Sequence, residues 1–227
     1  MTENYKIIQD EQKLRDFIDW LPNLEQNEVF FGCLLSRKKY DPTSKVKSET
    51  QLKRFICKKD HLFNALRQLE CPIGSYTSNG EPVAQITLAC YFQVNPRDME
   101  LSSKHALVRI AELITKPYNG YNVRSEVESC IQTTPSKNKS YIHFDFDAPI
   151  EDILPKIKEF INEDCLTVVK TRGGFHLLIE TKKIDQEKYR KTWYQNIISL
   201  GVDASKDILL PMVGCVQSDF VPFIYKG

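Results

Sequence analysis

Two aspartates separated by one residue are the side chains of this sequence best placed to do chemistry together. Asp145 and Asp147 alternate with Phe144 and Phe146 in a segment that predicts a β-strand over 141–147. Successive strand side chains point to opposite faces, so the two carboxylates project from one face, about 7 Å apart. They repel each other unless a cation lies between them. Mg²⁺ and Mn²⁺ prefer such oxygen ligands, and paired ions promote nucleotidyl transfer, although an acidic strand end that merely faces solvent fits the same pattern.

A histidine on a neighbouring strand can join this pair. Two predicted strands flank the turn Arg172-Gly173-Gly174, and His176 lies just after it. Lys170 and Arg172 offer cationic groups for a triphosphate. Gly173 and Gly174 allow a ligand to approach the backbone closely. Each residue alone has an ordinary structural explanation, but the grouping favours a nucleotide-binding role for Lys170, Arg172, Gly174 and His176.

A third carboxylate follows later in the chain. Asp203 comes two residues after Gly201, which ends a predicted helix over 186–199. On local pattern it is a turn aspartate. In the functional interpretation it completes the metal site, a position for which Asp207 competes.

The elements that must position these residues follow the order β-α-β-β-α-β, which predicts a ferredoxin-like or RRM-like catalytic core over about 138–227. Its predicted elements are the strand 141–147, the helix 150–162, the strands 166–171 and 175–181, the helix 186–199 and a last strand within 207–212. In that plan the first and third strands are central neighbours, so His176 can share a face with the aspartates.

The first half predicts an α/β unit over about 1–135, packed against this core within a single α+β domain. Its predicted elements are helices over 10–21, 48–70, 101–115 and near 122–131, and strands over 29–35 and 84–94. Its basic residues Arg37, Lys38, Lys39 and Arg97 either line a nucleic-acid groove or form a solvated surface.

Composition sets further limits on function. The chain has a formal net charge of +1, which argues against coating nucleic acid by charge alone but allows a local basic groove. Seven dispersed cysteines without a Cys-x-x-Cys pair indicate free thiols in a reducing compartment. The polar N-terminus and the lack of a long apolar run predict a cytoplasmic protein without a membrane segment.

Three short segments together resemble the archaeo-eukaryotic primase superfamily, which includes the primase-polymerases. They are Phe144-Asp145-Phe146-Asp147, Gly174-Phe175-His176 and Gly201-Val202-Asp203. The following segment, 209–217, keeps the Pro and Gly of the family's next motif but not its Arg or Thr.

This resemblance, over about 141–217, implies synthesis or extension of RNA or DNA primers from nucleoside triphosphates on a single-stranded template. It implies that Asp145, Asp147 and Asp203 hold Mg²⁺ or Mn²⁺ and that His176 contacts the phosphates of the incoming nucleotide. Unwinding would require a separate helicase.

Three alternatives remain open at this point. An RNA-recognition module has the same element order but turns aromatic residues of its first and third strands outward to stack bases. Phe144 and Phe146 on the open face would indicate such a module, whereas Asp145 and Asp147 on that face indicate a metal site. Another palm-like metal enzyme and an inactive scaffold of a replication complex are the other two.

Overall fold

The computed structural model describes residues 3–46, 48–137, 139–189, 192–202 and 209–226. Within them the chain is a mixed α+β fold with two larger antiparallel sheets. The described helices are α1 (Glu11–Trp20), α2 (Leu62–Arg67), α3 (Met99–Ile114), α4 (Val123–Thr133), α5 (Ile150–Phe160), α6 (Gln186–Tyr189) and α7 (Trp193–Ile198). The described strands are β1 (Glu28–Arg37), β2 (Glu49–Cys57), β3 (Thr77–Ser78), β4 (Glu81–Pro82), β5 (Leu88–Phe92), β6 (Arg97–Asp98), β7 (Tyr141–Phe146), β8 (Leu166–Lys170), β9 (Phe175–Glu180), β10 (Leu210–Pro211) and β11 (Phe223–Tyr225).

The first sheet has the strand order β10-β5-β1-β2, and β6 also pairs with β1. Its central strand, β1, is buried almost throughout, which explains its continuous apolar run. Phe30 and Leu34 pack into a core with α1 and α2. Phe31 and Cys33 face the other way and pack with Ile131 of α4. Most of the helix and strand predictions for this half are confirmed.

The predicted helix over 48–70 is wrong. Its first part is strand β2, which pairs with β1, and only Leu62–Arg67 is α-helical. Gly32 on β1 lies opposite Phe55, and the Phe55 ring occupies the space that a Cβ at Gly32 would take. Pairing with the free edge of β1 therefore prevailed over the helical spacing of the apolar residues, a tertiary effect that local pattern does not reveal.

The second sheet has the strand order β11-β8-β9-β7. The predicted contact between the first and third strands of this unit is confirmed, since β7 pairs antiparallel with β9. Among the described residues, however, β7 lies at the edge of the sheet rather than in its centre. Of the strand predicted within 207–212, the described residues form β10, which pairs with β5 of the first sheet, and β11 adds to the second sheet beside β8.

The two sheets share an apolar core. Val169 and Leu178 of the second sheet pack in the same cluster as Phe30 and Phe92 of the first. The predicted division near 135–138 therefore separates two halves that are joined both by this core and by β10. In place of one helix over 186–199, the described residues form the shorter helices α6 and α7. Across the described part of the chain, every helix is too short or too polar to cross a membrane.

Candidate active site

Strand β7 turns its phenylalanines toward the core and its aspartates toward a cleft. Phe144 and Phe146 are 0% and 2% exposed and pack with α5 and α7. The Phe146 ring stacks on Phe175, with centroids 4.8 Å apart and an interplanar angle of 10°. Asp145 and Asp147 therefore project from the opposite face of the strand. The two phenylalanines are not available to stack bases.

The cleft lies between the two sheets and has a volume of about 450 Å³. Asp145 and Asp147 line one side of it, and the Asp145 side chain is 36% exposed. The other lining residues come from both halves of the chain: Leu35, Arg37, Lys39, Tyr40, Glu49, Tyr91, Thr171, Arg172, Gly173, His176, Leu209, Pro211 and Gln217. The cleft thus brings the carboxylate pair together with several cationic side chains.

His176 lies directly beside Asp145, because the two residues are paired across β9 and β7. Its Nε2 is 3.3 Å from Asp145 Oδ1, and its Nδ1 is 2.7 Å from His143 Nε2. Burial lowers the pKa of His176 to about 3, so the ring is neutral at pH 7. A carboxylate only accepts hydrogen bonds, so the proton belongs on His176 Nε2, and His143 Nε2 then donates to His176 Nδ1. The result is a row of three side chains in which His143 is hydrogen-bonded to His176, and His176 Nε2 faces Asp145 Oδ1 at 3.3 Å.

We expect His143 to orient His176 and, through it, Asp145. Replacing His143 with Phe removes the donor, and the affinity for Mn²⁺ is expected to fall about tenfold, as for other residues that orient metal ligands. His143→Gln, which keeps a donor, should retain more of the affinity. Titration of both variants with Mn²⁺ measures this, with His61→Phe as a control on an exposed histidine. Equal affinities in all variants would show that His143 has no such role.

The turn glycines have different roles. A Cβ on Gly174 would lie 1.9 Å from the carbonyl oxygen of Phe146, so only glycine lets β9 pack this close to the end of β7. A Cβ on Gly173 would meet Asp147 Oδ1 at 3.7 Å, an ordinary contact distance. Gly174, which we predicted to contact a nucleotide, does not line the cleft, whereas Gly173 does.

Gly174→Ala is therefore expected to lower the free energy of unfolding by about 1–3 kcal/mol, the usual cost of forcing an extra carbon into a packed site. Gly173→Ala, the matched control, is expected to change it by less than about 0.5 kcal/mol. Urea unfolding of both variants measures the difference. Similar losses in the two would contradict the close approach at Gly174.

The two predicted cationic residues before His176 lie on different sides. Lys170 pairs with Phe175, so its side chain is on the face opposite His176, and it does not line the cleft. Arg172 lines the cleft, and its Nε is 2.8 Å from Asp219 Oδ1. Its backbone N–H donates to Gln217 Oε1 at 2.8 Å. The structure thus places Arg172 near the aspartates and directs Lys170 elsewhere.

The first sheet supplies the wall that faces the aspartates. Of the basic residues predicted for a groove in this half, Arg37 and Lys39 line the cleft, Lys38 does not, and Arg97 is buried beside Gln93.

Sequence reasoning missed Tyr40, Tyr91, Glu49 and His143. Tyr40 directly follows the basic run 37–39, and His143 alternates with Asp145 and Asp147, so both carried a usable signal. Glu49 lies in the segment 48–70, which we wrongly predicted to be a helix, so its position in the cleft was not recognised.

The donor chemistry of the carboxylate pair fits a hard divalent cation. Mg²⁺ and Mn²⁺ accept one or two carboxylates and take their remaining ligands from water and substrate phosphates. Asp145 and Asp147 both open onto the cleft, where such ligands can enter. In the described ranges no three His, Cys, Asp or Glu side chains converge into a complete metal-binding group. The predicted third carboxylate, Asp203, and its competitor Asp207 lie outside the described residues.

Comparisons of the chain with protein-family models, with curated proteins and with solved structures gave no match. Its function is therefore inferred from the geometry of the cleft and from the motifs that form it.

Proposed function

We propose that the chain is a metal-dependent nucleotidyltransferase. Within that class, we propose a primase-polymerase that makes or extends RNA or DNA primers on a single-stranded template. The observation that carries this proposal is the orientation of β7, which buries Phe144 and Phe146 and opens Asp145 and Asp147 to the cleft. His176 beside Asp145, and the resemblance of these segments to the primase motifs, support the same function.

In this proposal each residue of the cleft has a role that follows from its position. Asp145 and Asp147 hold divalent cations, which when bound activate the attacking 3′-hydroxyl and stabilise the departing pyrophosphate. His176, neutral and buried, has its Nε2 3.3 Å from Asp145 Oδ1 and would donate from Nε2 to a phosphate oxygen that comes within reach. Arg172 binds phosphate through its guanidinium fork.

The partners of the chain are proposed on the same basis. The template and primer strands would occupy the cleft between the sheets, whose walls carry Arg37, Lys39 and Arg172. Strand separation would come from a helicase on another chain. We also propose an RRM-like arrangement for the catalytic unit. Its predicted last strand begins within segment 203–208, which follows α7 and lies outside the described residues.

The test is primer extension on single-stranded DNA and RNA templates of defined sequence with Mg²⁺ or Mn²⁺. Ribonucleotides and deoxyribonucleotides are supplied separately, and pyrophosphate release is measured alongside product length. Products whose sequence follows the template support the proposal, and a reaction without added primer reveals whether synthesis starts de novo. Pyrophosphate release with a cyclic mononucleotide product would indicate another palm-like enzyme. Absence of product with either metal and either nucleotide would contradict the proposal.

A further inference from the structure

Three cationic side chains surround one aromatic ring on the cleft wall that faces the aspartates. The Tyr40 centroid is 5.8 Å from the guanidinium carbon of Arg37, 5.6 Å from Lys39 Nζ and 5.2 Å from the guanidinium carbon of Arg172. Tyr40 is 8% exposed, and its hydroxyl is 3.3 Å from the hydroxyl of Tyr91. Like charges around a fixed ring repel one another, so this cluster favours an anion between them.

Exposed carboxylates partly fill that need. Glu49 Oε2 is 2.9 Å from Arg37 Nε, and Asp219 Oδ1 is 2.8 Å from Arg172 Nε. The Glu49 and Asp219 side chains are 49% and 65% exposed. Ion pairs at such positions contribute little, because water screens them and both side chains lose freedom. In the described part of the chain, Lys39 has no carboxylate within ion-pair distance.

We infer that Glu49 and Asp219 are resident counter-ions of a polyphosphate subsite, and that a bound ligand displaces them from Arg37 and Arg172. Identifying the ligand as the triphosphate of an incoming nucleotide rests on the proposed function. The inference goes beyond that function in naming carboxylates of the chain as competitors of the substrate. Lys39 is the third cation of the subsite.

This exchange costs little free energy, because other contacts fix the arginines in place. Arg37 Nη1 donates to the Tyr91 hydroxyl, and Tyr40 contacts the guanidinium groups of both arginines. These contacts with Tyr91 and Tyr40 therefore keep the arginines in position when the carboxylates leave. Guanidinium forks bind phosphate oxygens in pairs, and several phosphate charges on one ligand outcompete two separate carboxylates.

Removing a carboxylate from this site is expected to strengthen polyphosphate binding, whereas most mutations in a binding site weaken it. Glu49→Gln and Asp219→Asn are each expected to raise polyphosphate affinity, by about two- to fivefold, because each removes a competitor. Arg172→Ala is expected to lower it by about tenfold or more, through the loss of charge-assisted hydrogen bonds. A residue that merely positions an arginine would lower affinity when changed.

The experiment is calorimetric titration with inorganic tripolyphosphate in the presence of a chelator. The parent chain carries Asp145→Asn and Asp147→Asn, so that neither catalysis nor a bound cation contributes. Lys39→Ala, Arg172→Ala, Glu49→Gln and Asp219→Asn are made in that background. Two controls are matched to them: Lys38→Ala, next to Lys39 but outside the cleft lining, and Glu81→Gln, whose exposed pair with Lys45 spans 3.0 Å elsewhere. Far-ultraviolet circular dichroism of each variant checks its folding.

Tighter binding in both carboxylate variants, weaker binding in Arg172→Ala and Lys39→Ala, and no change in the controls would support the inference. Absence of tripolyphosphate binding, or carboxylate variants that bind no better than the parent, would overturn it. A parallel titration with an oligothymidylate distinguishes a strand backbone from a polyphosphate. If the carboxylate variants bind only the oligonucleotide more tightly, the inference is also overturned. Since no step requires polymerisation, the inference can succeed where primer extension fails, and the reverse.

Discussion

The Asp145→Asn/Asp147→Asn variant is expected to extend a primer at least about a hundredfold more slowly than the native chain. Both carboxylates open onto the cleft, and their charges are what would hold the cations that stabilise the reacting oxygens. Asparagine keeps the size of each side chain and removes the charge, so folding should be preserved. The measurement is single-turnover extension of a labelled primer at saturating Mn²⁺.

Asp16→Asn is the matched control for this prediction. Asp16 is exposed on α1 and lies away from the cleft lining, so its loss of charge is expected to leave the extension rate unchanged. Equal rates in the native chain and the double variant would remove the carboxylate pair from the mechanism. A loss in the Asp16 control as well would trace the effect to net charge rather than to the cleft.

Truncation of Phe144 to Ala is expected to lower the free energy of unfolding by about 3–5 kcal/mol. Phe144 is fully buried among α5, α7 and the inward face of the second sheet, so its removal leaves a cavity that the packed neighbours fill only in part. Guanidinium chloride unfolding measures the change. Tyr118→Ala, at a side chain that is 75% exposed, should cost less than about 0.5 kcal/mol.

A second substitution at this position, Phe144→Leu, bears on the RNA-recognition alternative. If Phe144 stacked on bases, Phe144→Leu would reduce RNA affinity while leaving stability nearly unchanged. The burial of Phe144 predicts the reverse: a measurable loss of stability, with any nucleic-acid binding by the folded variant preserved. A variant of native stability that has lost RNA binding would contradict the placement of this ring in the core.

The part of the site that local sequence could predict is the part that lies on single strands. Alternation along β7 placed Asp145 and Asp147 on one face, and the structure confirms that face as the one that lines the cleft. The hairpin of β8 and β9 brought His176 to Asp145, as the predicted neighbourhood of the first and third strands required. An alternating pattern predicts these positions directly, because the face from which a side chain projects depends on its own strand alone.

The part that could not be predicted depends on which strands pair. The helix prediction over 48–70 failed because β2 is specified by the open edge of β1 and by the Phe55 ring over Gly32. Because β2 was not predicted, Glu49 could not be assigned to the cleft. Lys170 was assigned to the site by its closeness in sequence to His176, yet the register of β8 turns it to the opposite face. Strand order and register are set by long-range contacts that a local pattern does not contain.

The last strand shows the same limit. An apolar segment near 207–212 fits a final strand of the catalytic unit, but Leu210 and Pro211 pair with Phe92 and Tyr91 of the first sheet. That pairing places Pro211 in the cleft lining and ties the two halves together. Composition gave no preference between the two sheets, since both offer an apolar face.

Titration with Mn²⁺, followed by the electron paramagnetic resonance signal of the free ion, is the most direct test of the central claim that Asp145 and Asp147 form a metal site. The native chain and Asp16→Asn are expected to bind Mn²⁺ equally, with affinity that rises when tripolyphosphate is added. Asp145→Asn/Asp147→Asn is expected to lose this binding while remaining folded. Binding of equal strength in the double variant would contradict the claim and place the metal, and the chemistry it supports, elsewhere.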